Sequence, residues 1–107
     1  MEILQITIRA RDDKGDELLR TCQLIADQAL RQSGCESSLL SQKRADEGLI
    51  NLEQKWDNSS SLNNYFRSDQ FTALLGAMKW LGRSYDILIN GGTHKEGMKI
   101  VESERKV

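Results

Sequence analysis

The sequence predicts an α+β fold: a four-stranded antiparallel sheet in the order β-α-β-β-α-β, with its helices on one face. Three observations carry this. The chain opens on a period-two run, Ile3 to Ala10. A long apolar stripe at helical spacing follows, from about Asp16 to Ser33. Two further strand-like runs, a second helical stretch and a last strand-like run complete the order. The expected organisation is one domain over residues 1–107, of which about 98–107 form an edge strand and tail.

In the first run Leu4, Ile6, Ile8 and Ala10 point one way, and Ile3, Gln5, Thr7 and Arg9 the other. β-Branched residues at this period mean a strand with one fully apolar face. Asp12 to Asp16 breaks the pattern as a turn. The helix after it aligns Leu18, Leu19, Cys22, Ile25, Ala26, Ala29 and Leu30. Asp16 and Glu17 suit its positive end, Arg31 suits its negative end, and Gly34 is expected as its left-handed C-cap. Cys35 to Gln42 reads as a weaker strand holding Leu39 and Leu40. Lys43 to Gly48 is a polar hairpin connection, and Leu49 to Trp56 is the third strand. Ile50, Leu52, Gln54 and Trp56 share one of its faces.

Asp57 to Ser61 is rich in N-cap residues, and a short helical segment with Leu62, Tyr65 and Phe66 follows. Ser68 is expected to cap a further helix that buries Phe71, Leu74, Leu75, Met78 and Leu81 and ends near Gly82. Tyr85 to Asn90 is the fourth strand, Gly91-Gly92 breaks it, and Met98 to Val101 is expected as a short edge strand.

Right-handed crossovers place both helices on one sheet face. The other face carries Ile3, Thr7, Leu49 and Asn51 among charged residues. Such a face is often covered by a second copy of itself, so a homodimer through the sheet face is expected. The alternative is a monomer with a solvated face.

Fifteen basic against 16 acidic residues give a net charge of -1, with the signs interspersed. Nucleic-acid binding, which wants a basic patch, is therefore not expected. No apolar run approaches the ~20 residues of a membrane span, and Glu2 stands where a signal peptide has basic residues. A cytoplasmic location is the resulting expectation. Cys22 and Cys35 are too few for a disulfide scaffold and lack metal-ligand spacing. Cys22 falls on the helix stripe, as a small core residue would. No Gly-rich phosphate loop and no serine or cysteine nucleophile motif is present.

Ile50-x-Leu52-x-Gln54-x-Trp56, followed by Leu62-x-x-Tyr65-x-x-Ser68-x-x-Phe71-x-x-Leu74-Leu75, resembles the antibiotic biosynthesis monooxygenase family. These are ferredoxin-like dimeric α+β barrel proteins. The likeness covers nearly the whole chain in element order and is sharpest from Leu49 to Leu81. The resemblance implies a homodimer with sheets face to face and, in each subunit, a pocket between sheet and helices. Its better-understood members oxidise polycyclic aromatics or quinols with molecular oxygen, without metal or flavin, so no cofactor is expected.

The departures bear on chemistry. Many members have histidine where this chain has Tyr65, and often glutamate where it has Gln54. The haem-degrading branch shares the Ser68-x-x-Phe71 framework, but its iron-ligating histidine would fall at Leu75, and leucine ligates no metal. No metal site is therefore expected. That branch also uses a first-strand asparagine, which this chain lacks.

The candidate catalytic residues are Tyr65, Trp56 and Gln54, in a pocket lined by Leu52, Phe66, Phe71 and Leu75. The Tyr65 phenol could donate to a quinone or phenolate oxygen, and the Trp56 indole N–H could hold a substrate oxygen. Gln54 could orient a carbonyl but cannot act as a base at neutral pH. Each could instead be ordinary core. His94, the only histidine, is expected exposed in a loop, and Trp80 lies off the stripe of its helix. The expected function is a cofactor-independent monooxygenase acting on a small aromatic or quinol-type substrate. The alternatives are a non-catalytic small-ligand-binding or regulatory homodimer, and a scaffold with a filled core.

Overall fold

The structure, a computed structural model, describes residues 1–43 and 45–106, and of Glu47 the backbone alone. Arg44 in the expected hairpin connection and Val107 in the expected tail lie outside the described residues. The eight elements are β1 (Glu2–Ala10), α1 (Gly15–Ala29), β2 (Cys35–Lys43), β3 (Asp46–Trp56), α2 (Ser59–Phe66), α3 (Asp69–Leu81), β4 (Gly82–Ile89) and α4 (His94–Arg105).

The strands form one antiparallel sheet in the order β2-β3-β1-β4. Ile6 lies opposite Leu52 on one side and Ile87 on the other. Leu40 lies opposite Leu52 from the outer strand. Because side chains alternate across a strand, this register puts Leu4, Ile6, Ile8, Ile50, Leu52, Gln54, Trp56 and Ile87 on one buried face. The helices cover it. Leu18, Cys22, Ile25, Ala26 and Ala29 of α1 are buried there, as are Phe71, Leu74, Ala77 and Met78 of α3. Burying Leu18 or Ile25 contributes roughly 2 kcal/mol apiece as an upper estimate. This is the expected β-α-β-β-α-β fold, of ferredoxin-like type.

The first helix departs from expectation at its end. It stops at Ala29 rather than Ser33, and Leu30 is its C-cap. The N–H groups of Arg31 and Gln32 then bond the carbonyls of Gln28 and Ala29, three residues back. Such tightened turns satisfy carbonyls that the helix leaves open. Leu30 therefore leaves the stripe and is 49% exposed, and Arg31 lies past the helix. Gly34 does adopt a left-handed φ of 90°, but in the turn that delivers the chain to β2. A Cβ there would collide with Ser61 and the Asp57 carboxylate.

The C-terminal segment is a correction. Met98 to Val101 is not an edge strand but the middle of α4. Thr93 and Glu96 form a capping box that starts the helix. Met98 and Val101 then fall three residues apart on its inner side, Val101 buried and Met98 partly so. The helix runs past the open edge of β4 at Gly97, where an added Cβ would strike the Ile87 carbonyl.

The outer sheet face keeps the expected mixed character. Thr7 donates to Asn51 at 2.7 Å, Gln5 to Glu53 at 3.2 Å and Arg9 to Asp46 at 2.6 Å. Leu39 stands 65% exposed among them. Among the described residues no helix is long and apolar enough to cross a membrane.

Gly34→Ala is expected to lower stability by about 2 kcal/mol or more, since it meets both a left-handed backbone and a collision. Chemical denaturation of the two proteins checks this, and an unchanged midpoint would contradict the tight turn.

Candidate functional site

The three candidate catalytic residues come together in one place. Gln54 and Trp56 are neighbours on the inner face of β3, so their side chains run parallel towards the helices. Tyr65 reaches them from the last turn of α2. The Trp56 and Tyr65 ring centroids are 4.7 Å apart, and Phe71 meets Tyr65 edge-on at 5.4 Å. Phe66 closes the row against Phe71 at 5.0 Å. Pairs in these geometries add to simple burial.

Ser68 sets the angle between the two short helices. Its hydroxyl donates to the Tyr65 carbonyl at 2.6 Å and accepts from the Phe71 N–H at 3.2 Å. One side chain thus ends α2, caps α3 and fixes the two aromatic residues relative to each other. At the other end of α2, Asn58 caps the helix by accepting from the Ser61 N–H. The spacing of Tyr65, Ser68 and Phe71 therefore has a direct structural cause.

Within the cluster the hydrogen bonds have only one consistent direction. An indole N–H donates and never accepts. Trp56 Nε1 lies 3.2 Å from Gln54 Oε1, so the carbonyl end of the amide must face the indole. The amino end then faces Ser38 Oγ at 3.2 Å and Tyr65 Oη at 3.3 Å. Both hydroxyl oxygens accept, and each keeps a proton of its own. Among the described residues, the phenol proton of Tyr65 has no acceptor. Gln54 is fully buried, and Tyr65 is 1% exposed.

Burial pushes the Tyr65 phenol up to about 12, against the opposing pull of the Gln54 amide; Cys35 and Cys22 nearby add slightly to the rise. Burial likewise pushes the Cys22 thiol up to about 11 and raises Cys35. The cluster is therefore neutral at physiological pH. It can donate hydrogen bonds and orient a bound oxygen, but it contributes no base.

Of the expected pocket lining, Leu52, Phe66 and Phe71 are buried beside the cluster and Leu75 is partly buried. In this arrangement the rings themselves occupy the space between sheet and helices. Three surface clefts lie elsewhere: at the Arg9–Arg83 end of the sheet, on the open sheet face, and along α4. Tyr65, Gln54 and Trp56 line none of them.

Two residues outside the cluster differ from their sequence reading. His94 is not a free loop residue but the first residue of α4. Its Nδ1 accepts from the Ile87 N–H at 2.9 Å, and its ring meets Tyr85 edge-on. Trp80 is 73% exposed on the outer side of α3. Sequence reasoning also missed Ser38. Pairing the hairpin would have found it, because Ser38 is the cross-strand neighbour of Gln54. Among the described residues no group of three or more histidine, cysteine, aspartate or glutamate side chains could hold a metal ion.

Known proteins agree with this fold. No curated protein matches the chain. A solved structure of a candidate antibiotic biosynthesis monooxygenase from Deinococcus radiodurans superposes with a TM-score of 0.78 at 22% identity, covering 83% of this chain and 89% of that one. Another from Nitrosomonas europaea gives 0.78 at 13% identity over 86% and 98% of the two chains. A Pseudomonas aeruginosa protein gives 0.75 at 20% identity over 82% and 89%. At these identities the likeness speaks for the fold alone. The family model of antibiotic biosynthesis monooxygenases matches residues 1–76, more than half of the sequence, and the chain belongs to that family.

Proposed function

We propose that the protein is a cofactor-independent monooxygenase that oxidises a small aromatic or quinol-type substrate with molecular oxygen at the Gln54–Tyr65–Trp56 cluster. The observation that carries this reading is the Tyr65 phenol, buried and protonated, with a proton that no side chain or carbonyl among the described residues accepts. A substrate hydroxyl or phenolate oxygen would complete that bond. Such a donor in a water-poor site strengthens as negative charge develops on the oxygen.

The reaction balances without a cofactor. A quinol and O2 give a hydroxyquinone and water: one oxygen atom enters the ring, the other leaves as water, and the quinol supplies all four electrons. Because the cluster holds no base, the substrate must itself ionise near neutral pH. Tyr65 donates to the resulting anion, Gln54 holds the phenol in place through its amino group, and Trp56 locks the amide.

The second reading is a non-catalytic homodimer that binds a small apolar ligand at the same cluster. The absence of any group in the cluster that titrates near neutrality favours it. Both readings share a homodimer joined through the open sheet face. Its support is the mixed surface around the exposed Leu39.

Oxygen uptake with a panel of hydroquinones separates the readings. Oxidation above the buffer rate is expected, and Tyr65→Phe should lower kcat about 100-fold while the fold persists. No uptake across the panel, with binding that Tyr65→Phe weakens, would select the second reading.

Sedimentation should give twice the 12.2 kDa chain mass, and Leu39→Arg should halve it. A wild-type monomer at micromolar concentration would remove the dimer.

Alkali offers a further check on the cluster. Below the unfolded pKa values of 10 for Tyr65 and 9 for Cys22, burial costs these groups no charge. As pH rises through about 12 and about 11, the unfolded chain ionises first and stability falls. The tyrosine share is roughly 2–3 kcal/mol by pH 12. Tyr65→Phe should flatten the loss between pH 10 and 12 in denaturant titrations, and identical slopes would argue against a buried phenol.

A further inference from the structure

The helix α4 lies beyond the part of the chain that the family model matches, and its two ends are held differently. At the N-terminal end the attachment is close. Gly97 lies against the Ile87 carbonyl with no room for a Cβ, and His94 Nδ1 accepts from the Ile87 N–H. In the middle Val101 is buried. At the C-terminal end the attachment is polar and near the surface. Arg105 donates from Nη1 to the Phe66 carbonyl at 2.8 Å and from Nη2 to Thr72 Oγ1 at 2.9 Å. Glu104 pairs with Arg67 at 2.6 Å, with side chains 24% and 36% exposed.

These contacts fall on α2. The Phe66 carbonyl is one that the end of that helix leaves without an intrahelical partner, and Arg105 supplies the bond. Arg67 is the C-cap of α2 and also bonds Asn64. At eight residues, α2 is too short to hold itself in place by helix propensity. Its position depends on what packs against it, and it carries both Tyr65 and Phe66. The Gln54–Tyr65–Trp56 cluster is closed to solvent, so a ligand can reach it only if one wall moves. Arg105 and Glu104 hold the wall with the shortest helix.

We propose that α4 is a strap over α2, pivoting on its His94–Gly97 end, and that release of the Arg105–Phe66 and Glu104–Arg67 clasp opens the route to Tyr65 and Trp56. The ligand class is that of the proposed function, a small aromatic bearing a hydroxyl, and the inference rests on that cluster being the binding site. An exposed ion pair and a single arginine bridge contribute little net stability and are screened by salt. The clasp can therefore open without unfolding the sheet.

The test uses the full chain with Trp80→Phe, which leaves Trp56 as its sole tryptophan. Acrylamide quenching of Trp56 then reads access to the cluster. Arg105→Ala should raise the quenching constant about threefold, and Glu104→Gln should raise it less. Raising NaCl from about 0.05 to about 0.5 M should act on the parent protein in the same direction and have little effect on Arg105→Ala. Amide exchange should quicken over Ile100–Arg105 and Leu62–Arg67 while β1 stays protected.

If Arg105→Ala does not fold, Glu104→Gln and the salt series carry the test. Unchanged quenching, whether or not α4 exchanges faster, overturns the strap, as does quenching that rises only with loss of protection in β1. Adding nitrohydroquinone as probe, a quinol acidified by its electron-withdrawing ring substituent, separates this inference from the functional reading. An accessible Trp56 with neither binding nor oxygen uptake would sink the site and leave the strap. Uptake with quenching unmoved by either variant would sink the strap and leave the site.

Discussion

The structure turns on one buried amide. An unpaired amide in an apolar interior costs roughly 2–7 kcal/mol, so Gln54 is tolerated there only with its partners in place. Trp56 can offer nothing but a donor, which orients the carbonyl. That orientation turns the amino group towards β2 and α2, where Ser38 and Tyr65 accept. Four residues from three elements are thereby tied together. A slip of two residues in β3 would keep its apolar side chains on the inner face but part Gln54 from Ser38 and Tyr65. The polar cluster thus specifies the hairpin register more stringently than the leucines and isoleucines around it, which tolerate exchange.

The same coupling explains how an eight-residue helix can be part of a core. The helix α2 is bounded by Asn58, which accepts from the Ser61 N–H, and by Ser68, which donates to the Tyr65 carbonyl while capping α3. Between the caps, Leu62, Tyr65 and Phe66 turn inward, and the rings of Trp56, Tyr65, Phe71 and Phe66 make a continuous row. The apolar contacts hold the row, whereas the polar ones determine its alignment. Closure on the sheet side is secured by the amide, and closure on the far side by Arg105.

How legible this was in the sequence follows from the range of each interaction. The strand faces are readable because alternation is local: period two puts Ile50, Leu52, Gln54 and Trp56 on one face, and all four are buried there. Ser68 as a cap could be read for the same reason. The convergence of Tyr65 on Gln54 was legible only through the family likeness, since nothing in the spacing says that α2 folds back over β3. Ser38 required the hairpin register. The end of α1 is not readable from Gly34, which has the backbone of a C-cap but serves a turn into β2. The strand expected at Met98–Val101 is instead helix because so short an apolar run fits either element, with Met98 and Val101 a helical i,i+3 pair; the capping box at Thr93 and Glu96 is the deciding signal.

The neutrality of the cluster constrains the proposed chemistry. A phenol held near 12 donates through the whole physiological range but takes no proton there. A site of this kind cannot create the anion that oxygen attacks; it can only favour an anion that forms unaided. Catalysis would then come from differential hydrogen bonding, strong to the phenolate and weaker to the neutral quinol. That selects for substrates whose hydroxyl is acidified by a fused or electron-withdrawing ring, and against simple phenols, which stay protonated near neutrality. A histidine in place of Tyr65 or a glutamate in place of Gln54 would supply a base and relax this limit, so under the proposed chemistry these two residues would narrow the substrate range. The fold can remain that of an oxygenase while the identity of two side chains decides which molecules it could oxidise.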